Sequence, residues 1–363
     1  MTIGPVPGSV LVIGAGLIGT SIGLALTEHG VAVSLEDRDP ARADAASQMG
    51  AGSSGPASTD PDVVIISVPP TSVAKVAALA LERFPHATVT DVASVKSLPL
   101  AELRALGADI ERFVGGHPMA GREVSGPLAA RGDLFEDRLW VLTPFDETST
   151  SAVEAVEGVI AICGSIATVL HPQTHDHGVA LTSHTPQLLA SVLAAQLALA
   201  NDDDLALAGQ GLRDATRVAA SDSDLWADIL HANAAEVAIV IDRIASDLEA
   251  VAQDLTAQSR LGMSANPAVR SVLERGNEGY SRLPDKHGGA ALDYVTIPVV
   301  VADKPGELGR LFAAAGSAGV NLEDVRIEHT VGRLTAVIEL SVRPAAVYDL
   351  RAAVAAGGWR VRG

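Results

Sequence analysis

The stretch Val10-Leu11-Val12-Ile13-Gly14-Ala15-Gly16-Leu17-Ile18-Gly19 decides the fold. A β-branched run ends in a GxGxxG string, and an Ala/Leu-rich helical pattern follows directly. Each glycine then has a mechanical reason. Gly14 permits the tight turn, Gly16 lets a pyrophosphate approach the backbone, and Gly19 lets helix and strand pack closely. Leu17 and Ile18 open the helix, where N–H groups and a positive dipole face the phosphates. The string alone is weak evidence, but the acidic residue that should accompany it is present. Asp37 ends the next β-branched run, 37 − 19 = 18 residues past the last glycine. A carboxylate there accepts hydrogen bonds from the ribose hydroxyls of NAD and repels a 2′-phosphate, whereas the adjacent Arg38 would suit NADP. The pair is read as an NAD site. Val10 to Thr27 carries no charge and is about as long as a membrane span. Glycines interrupt it and no basic segment precedes it, so a buried strand running into a helix is expected, not a span or a signal peptide.

Three regimes extend outward from this motif. The 363 residues correspond to two or three domains. Up to about Pro144, the runs Val10–Ile13, Val31–Leu35, Val63–Val68, Thr88–Val92, Phe113–Gly115 and Leu139–Leu142 alternate with helical patterns. That alternation predicts a mostly parallel sheet with helices on both faces. From about His175 to Gly276 only helical spacing persists, predicting four or five helices, clearest over Ala234–Leu255. A polar, Gly-rich linker follows, and residues 294–363 read as a βαββαβ unit. The expected fold class is α/β, with a dinucleotide-binding domain over 8–172, a helical domain over 173–276, a linker over 277–293 and the βαββαβ domain over 294–363.

Composition narrows the function. With 26 Lys+Arg against 44 Asp+Glu, the net charge is −18, which disfavours nucleic acid and anionic membranes. Cys163 is the single cysteine, so no intrachain disulfide forms, as in a reducing cytoplasm.

Several strings carry chemistry. In Gly115-Gly116-His117-Pro118-Met119-Ala120-Gly121, a histidine stands at a strand end, where it would face the nicotinamide crevice as a base. Ser94, in Asp91-Val92-Ala93-Ser94-Val95-Lys96, is either a partner that orients this imidazole or a helix N-cap. Val68 and Pro69 end a strand at the cofactor crevice or form an ordinary turn. His184 and Gln187, at i and i+3, share a helix face. Arg213 and Arg217 are either carboxylate ligands or surface ion-pair partners, and Trp226 alone reads as core. His171, His175 and His177 lack the spacing and companions of a zinc site, so no metal is expected.

Together these strings resemble the prephenate/arogenate dehydrogenase family of tyrosine biosynthesis, over nearly everything from Val10 to about Gly276. HPMAG with the downstream RDATR and WADI strings carries the resemblance most specifically. The resemblance implies a Rossmann domain, a dimerising helical domain, and oxidative decarboxylation with NAD as hydride acceptor. It implies that His117 hydrogen-bonds the substrate's 4-hydroxyl, that Ser94 holds His117 and touches that hydroxyl, that Arg217 binds the ring carboxylate, and that His184 lines the pocket. A neutral imidazole is required, so activity should fall at low pH as His117 protonates. The family commonly carries a second histidine where this chain has Gln187, a position that bears on prephenate against arogenate; prephenate is the leading reading. The C-terminal unit resembles an ACT domain, which implies either tyrosine binding around Asp303, Pro305, Gly306, Glu307, Leu308 and Asn321, or dimerisation alone. Two other classes share parts of this layout. A β-hydroxy-acid dehydrogenase would need a lysine that Leu181–Ala200 lacks. A non-catalytic amino-acid sensor predicts a broken site, yet Ser94, His117 and Arg217 all stand in their motifs. A cytoplasmic homodimer is expected.

Overall fold

The computed structural model describes residues 4–57, 60–122, 124–261, 267–283, 294–329 and 334–362. Contacts divide the chain between Ala245 and Ser246 into two units. In the first, strands β1 (Ser9–Ile13), β2 (Ala32–Glu36), β3 (Ser53–Ser54), β4 (Val63–Ile66), β5 (Thr88–Asp91), β6 (Phe113–Pro118), β7 (Leu139–Pro144) and β8 (Ile166–Val169) form one sheet. Their order is β3-β2-β1-β4-β5-β6-β7-β8. The strands through β6 are parallel, β7 is antiparallel to β6, and β8 runs parallel to β7.

Alternate residues of the central strands feed opposite cores. Val10, Val12, Val63 and Ile65 pack with Ile22, Ala25 and Leu26 of α1 (Leu17–Glu28), with Ala43 and Ala46 of α2 (Pro40–Gln48), and with α5 residues. Leu11, Val64 and Ile66 pack with Val73 and Ala77 of α3 (Pro70–Arg83) and Leu100 and Leu103 of α4 (Ser97–Ala105). The remaining helix, α5 (Thr150–Ile162), supplies Val156, Val159 and Ile160 to the first core. Burial on both faces is why these strands read as continuous apolar runs. The sheet order places the topological reversal beside β1, so the carboxyl ends of β1, β4, β5 and β6 border the ligand crevice.

Some boundaries differ from expectation. The strand expected over Val63–Val68 stops at Ile66: Ser67 donates a last inter-strand N–H to Ile13 O at 2.7 Å, β1 then turns away at Gly14, and Pro69 and Pro70 have no N–H to continue the ladder. Edge strands β3 and β8 escape the sequence reading. One is two residues long, and the other exposes Ile166 and Val169 at its ends, so neither shows a buried apolar run.

Beyond β8 the chain is helical: α6 (Pro172–Val179), a π-helical turn (Ala180–His184), α7 (Thr185–Leu197), α8 (Asp202–Ala206), α9 (Gln210–Thr216), a 3-10 turn (Arg217–Ala220), α10 (Ser223–Ala232) and α11 (Ala234–Leu261). These helices are more numerous than the four or five expected, and α11 runs past the expected Ala234–Leu255. A capping box at Asn201, Gly209 and the Asp222 N-cap punctuate the segment.

In the second unit α12 (Pro267–Ser281) runs into the segment expected as linker from 277. Its start is capped by Asp254, which accepts the Ala268 N–H at 2.7 Å, and Arg275 pairs with Asp247 at 2.7 Å. Residues 284–293 of that segment lie outside the described residues. The βαββαβ order is present as β9 (Val295–Ala302), α13 (Glu307–Ser317), β10 (Asp324–His329), β11 (Thr335–Val342), α14 (Val347–Ala356) and β12 (Arg360–Val361), with strand order β10-β11-β9-β12. Ile297, Val299, Val301, Ile338 and Leu340 face Leu311, Leu350 and Val354 of the two helices. No helix among the described residues is long and apolar enough to cross a membrane.

Gly116 packs closely between β5 and β7. A Cβ there would lie 2.6 Å from the Asp91 carbonyl oxygen and 3.2 Å from Trp140 Nε1. Gly116→Ala is therefore expected to cost about 1–3 kcal/mol through overpacking. Thermal unfolding checks it: an unchanged midpoint would contradict this packing.

Candidate active site

At the end of β1 the chain turns through Gly14, whose φ of +107 excludes most side chains. A Cβ there would also strike the Ser67 carbonyl oxygen at 2.0 Å, which fixes the glycine turn against the loop that carries Val68 and Pro69. Gly16, the N-cap of α1, has open space where a Cβ would stand and no side-chain cap. The first N–H groups of α1 therefore face an uncovered cradle, as a dinucleotide pyrophosphate requires. Asp37 follows β2. One carboxylate oxygen accepts the Ala15 N–H at 2.7 Å and the other accepts the Asp39 N–H at 2.8 Å. Asp37 is thus anchored to the glycine turn itself, while Arg38 beside it is exposed. These residues fit NAD.

The carboxyl ends of β5 and β6 carry the second cluster. Asp91 ends β5, buried, and pairs with the equally buried Lys96 ammonium. Asp91 also accepts the N–H groups of Ala93 at 3.0 Å and Gly116 at 3.1 Å. Lys96 Nζ donates to the Gly116 carbonyl at 2.6 Å, so this ion pair holds both backbone groups of the residue before His117. Burial pulls the Lys96 ammonium below its ordinary pKa, opposed by Asp91.

His117 is not held by Ser94, in contrast to the expectation from family resemblance. Its Nδ1 lies 2.8 Å from His175 Nε2, and His175 Nδ1 lies 2.8 Å from Asp176 Oδ1. Ser94 Oγ is buried without a hydrogen-bond partner among the described residues, and α4 starts at Ser97 with Lys96 as N-cap, so Ser94 is not the helix cap either. Asp176 accepts the N–H groups of Lys96 at 2.8 Å and Ser97 at 2.7 Å. Burial alone would raise its pKa, but the hydrogen bonds from His175, Ser97 and Lys96 outweigh that and keep the carboxyl below its usual value. Burial, then the neighbouring His175, Lys96 and His184, push His117 well below 6.5. The His117 imidazole is neutral at neutral pH, and it gains a proton only in more acidic solution than a solvent-exposed imidazole would.

The π-helical turn ends at His184, which is fully buried. Its Nδ1 is 3.1 Å from Asn233 Nδ2, and the same amide donates to the Asp176 carbonyl at 2.9 Å. The Asn233 amide nitrogen can only donate, so His184 accepts at Nδ1 and carries its proton on Nε2, a buried atom without a hydrogen-bond partner among the described residues. Burial depresses its pKa to about 4. Trp226 packs edge-on to His184, with centroids 6.1 Å apart.

Gln187 lies on α7, buried. Its Nε2 donates to the Val218 carbonyl at 2.8 Å, fixing the 3-10 turn that Arg217 opens. Arg217 itself is exposed at the head of that turn. Sequence reading missed Lys96, Asp91, His175, Asp176 and Asn233 as parts of this cluster. The adjacent His175-Asp176 pair was the available signal, since a carboxylate beside a histidine can fix its tautomer. Among the described residues no group of three or more His, Cys, Asp or Glu side chains is arranged to hold a metal ion.

In the second unit Gly306, with φ of +88, is the N-cap of α13, and Pro305 precedes it. Pro305 therefore stands outside the helix, and the left-handed cap leaves the first helical position to Glu307. Glu307 accepts the Trp359 Nε1–H at 3.2 Å and pairs with Arg310 at 3.3 Å, whose guanidinium stacks 4.6 Å over the same indole. Asn321 donates to Glu323 at 3.1 Å, and Asp303 and Leu308 flank the loop–helix junction.

Comparison with known proteins is consistent with this geometry. Residues 22–169 match the family model of the prephenate dehydrogenase nucleotide-binding domain, and residues 171–263 that of its dimerization domain. A Streptomyces niveus protein described as "probable prephenate dehydrogenase NovF" is 36% identical over 341 residues, covering 93% of this chain and 94% of its own. The crystal structure of A. aeolicus prephenate dehydrogenase with hydroxyphenyl propionate and NAD+ is similar at a TM-score of 0.65 and 26% identity, over 77% of this chain and 99% of that one. Synechocystis arogenate dehydrogenase is similar at a TM-score of 0.59 and 25% identity, over 75% of this chain and 98% of its own.

Removal of the Asp37 carboxylate should weaken dinucleotide binding, because hydrogen bonds to a charged group contribute about 1.5–3 kcal/mol. Asp37→Ala is expected to raise the Kd for NAD by roughly ten- to a hundredfold in calorimetric titration. Unchanged affinity would remove Asp37 from the site.

Proposed function

The chain belongs to the prephenate dehydrogenase family, and on that premise we infer that it catalyses the NAD-dependent oxidative decarboxylation of prephenate to 4-hydroxyphenylpyruvate. The carrying observation is His117: a half-buried imidazole at the end of β6, neutral at neutral pH, whose Nε2 has no hydrogen-bond partner among the described residues. It stands at the edge of the sheet whose other strand ends build the dinucleotide cradle. When bound, NAD accepts the hydride from the ring carbon that bears the 4-hydroxyl.

The chain's own groups supply positioning and one proton acceptor. His117 Nε2 accepts a hydrogen bond from the 4-hydroxyl and polarises it as the hydride departs. Ser94 Oγ, partnerless inside the site, touches the same hydroxyl. Arg217 binds the ring carboxylate until it leaves as carbon dioxide, and His184 lines the pocket with its Nε2–H as a donor. Gln187 acts on the pocket through the turn that presents Arg217. Arogenate is the second reading, favoured by the likeness to the Synechocystis enzyme; a neutral amide at 187 repels neither a keto nor an ammonium side chain. Over residues 171–263 we assign a dimer interface. The loop–helix junction at Asp303, Gly306, Leu308 and Asn321 is assigned to a tyrosine effector, with the exposed N–H groups beside Gly306 as support. The enzyme would act in the cytoplasm.

The test is NADH formation with NAD and either prephenate or L-arogenate. Prephenate is expected to turn over faster; arogenate in first place would overturn that preference, and no NADH from either would overturn the reaction. His117→Ala should lower kcat by roughly 10²–10⁴-fold, whereas Arg217→Ala should act mainly on KM. A base works above its pKa and fails below it. With His117 pushed well below 6.5, activity should stay level from about pH 6 to 8 and fall only in more acidic solution. An acid limb centred near neutrality would contradict the burial of this group.

A further inference from the structure

We propose that His175 and Asp176 form with His117 a hydrogen-bonded relay that presets His117 as the base, keeping its proton on Nδ1 and sharing the charge it gains during turnover. This rests on the reading of His117 as the base for the substrate hydroxyl. Asp176 is ionised and fixed from behind by two backbone N–H groups, those of Lys96 and Ser97. Its Oδ1 then takes the His175 Nδ1–H at 2.8 Å. With its Nδ1–H directed to Asp176, His175 offers the Nε2 lone pair to His117 in this relay. His117 Nδ1, 2.8 Å away, must donate to it, which leaves the His117 Nε2 lone pair facing outward. The two rings meet edge-on at 79°, with centroids 5.0 Å apart.

The charges around His117 suit this assignment. Lys96, with Asp91, lies behind β5 and β6; His175 and Asp176 approach from α6; His184 approaches from the π-helical turn. Lys96 opposes protonation of His117 at rest. Asp176, acting through His175, supports it in transit. His184 cannot substitute for His175, because Asn233 occupies its Nδ1. Asn233 also ties the Asp176 carbonyl, so one amide fixes both the relay helix and the second imidazole.

The step balances without an outside acid or base. As the hydride passes from the ring carbon to the nicotinamide, the hydroxyl proton moves to His117 Nε2. The bond to the ring carboxylate then breaks, its electron pair enters the ring, and carbon dioxide departs. The resulting phenolate takes the proton back from Nε2. The relay thus holds a proton for part of the cycle and exports none.

His175→Leu, His175→Gln and Asp176→Asn test the proposal in the full-length protein. His175→Leu is expected to lower kcat at least roughly a hundredfold, with KM for prephenate changed by less than about threefold. His175→Gln keeps an oxygen that can accept the Nδ1–H, so it should recover part of that loss, which a purely structural role would not predict. The acid limb of kcat should shift in Asp176→Asn. Proton NMR reads the relay without turnover: the wild type should show an exchange-protected ring N–H assigned to His117 Nδ1, absent in His117→Ala and lost in His175→Leu. A resonance assigned instead to His117 Nε2 would overturn the proposal, as would equal kcat in folded His175→Leu and wild type. Wild-type protein that shows the Nδ1–H but makes no NADH from prephenate would overturn the reaction and leave the relay standing.

Discussion

A carboxylate removed from water must find donors close at hand, and the catalytic end of this sheet is organised by meeting that requirement twice. Asp91 and Asp176 are 1% and 2% exposed. Desolvating an ion costs several kcal/mol, recovered only when geometry and hydrogen bonds are good. Asp91 finds the Lys96 ammonium and the N–H groups of Ala93 and Gly116. Asp176 finds the N–H groups of Lys96 and Ser97 and the ring of His175. Lys96 serves both, its side chain for one carboxylate and its backbone for the other. Through it β5, α4, β6 and α6 share one polar lattice, and His117 sits where that lattice reaches the crevice.

The same constraint sets the chemistry. Removal of one partner of a buried ion pair typically costs about 3–5 kcal/mol, so the lattice resists rearrangement when a substrate enters. An imidazole embedded beside Lys96 stays neutral and available as an acceptor. A glycine at 116 is required because the clamp draws β6 against the Asp91 carbonyl and the Trp140 indole, where no Cβ fits. The glycine turn at 14–19 answers a separate demand, close approach to phosphates, and Asp37 is tied to it by the Ala15 N–H.

Much of this was legible in the sequence wherever the evidence is local. GxGxxG after a β-branched run, Asp37 at the next strand end and the glycine-flanked His117 each depend on neighbours a few residues away. The strands legible as apolar runs are those buried on both faces, whereas β3 and β8 at the edges are not. The lattice escaped because its contacts are distant in sequence: His117 and His175 are 58 residues apart, and the Lys96 N–H and Asp176 are 80 apart. His175 reads in the sequence only as a member of a histidine group that lacks zinc-site spacing, and that spacing says nothing about a hydrogen-bonded chain. Gln187 was placed correctly on its helix, yet its amide turns to a backbone carbonyl 31 residues away that spacing cannot reveal.

The account turns on His117 offering a bare Nε2 to the hydroxyl of the reacting ring. A crystal structure of the protein with NAD and 4-hydroxyphenylpyruvate tests this most directly. The expected result is the product's phenol oxygen within about 2.6–3.2 Å of His117 Nε2, with Nδ1 still on His175 and the nicotinamide against the ring. A ring oxygen bound elsewhere, or a His117 rotated so that Nε2 faces His175, would contradict it.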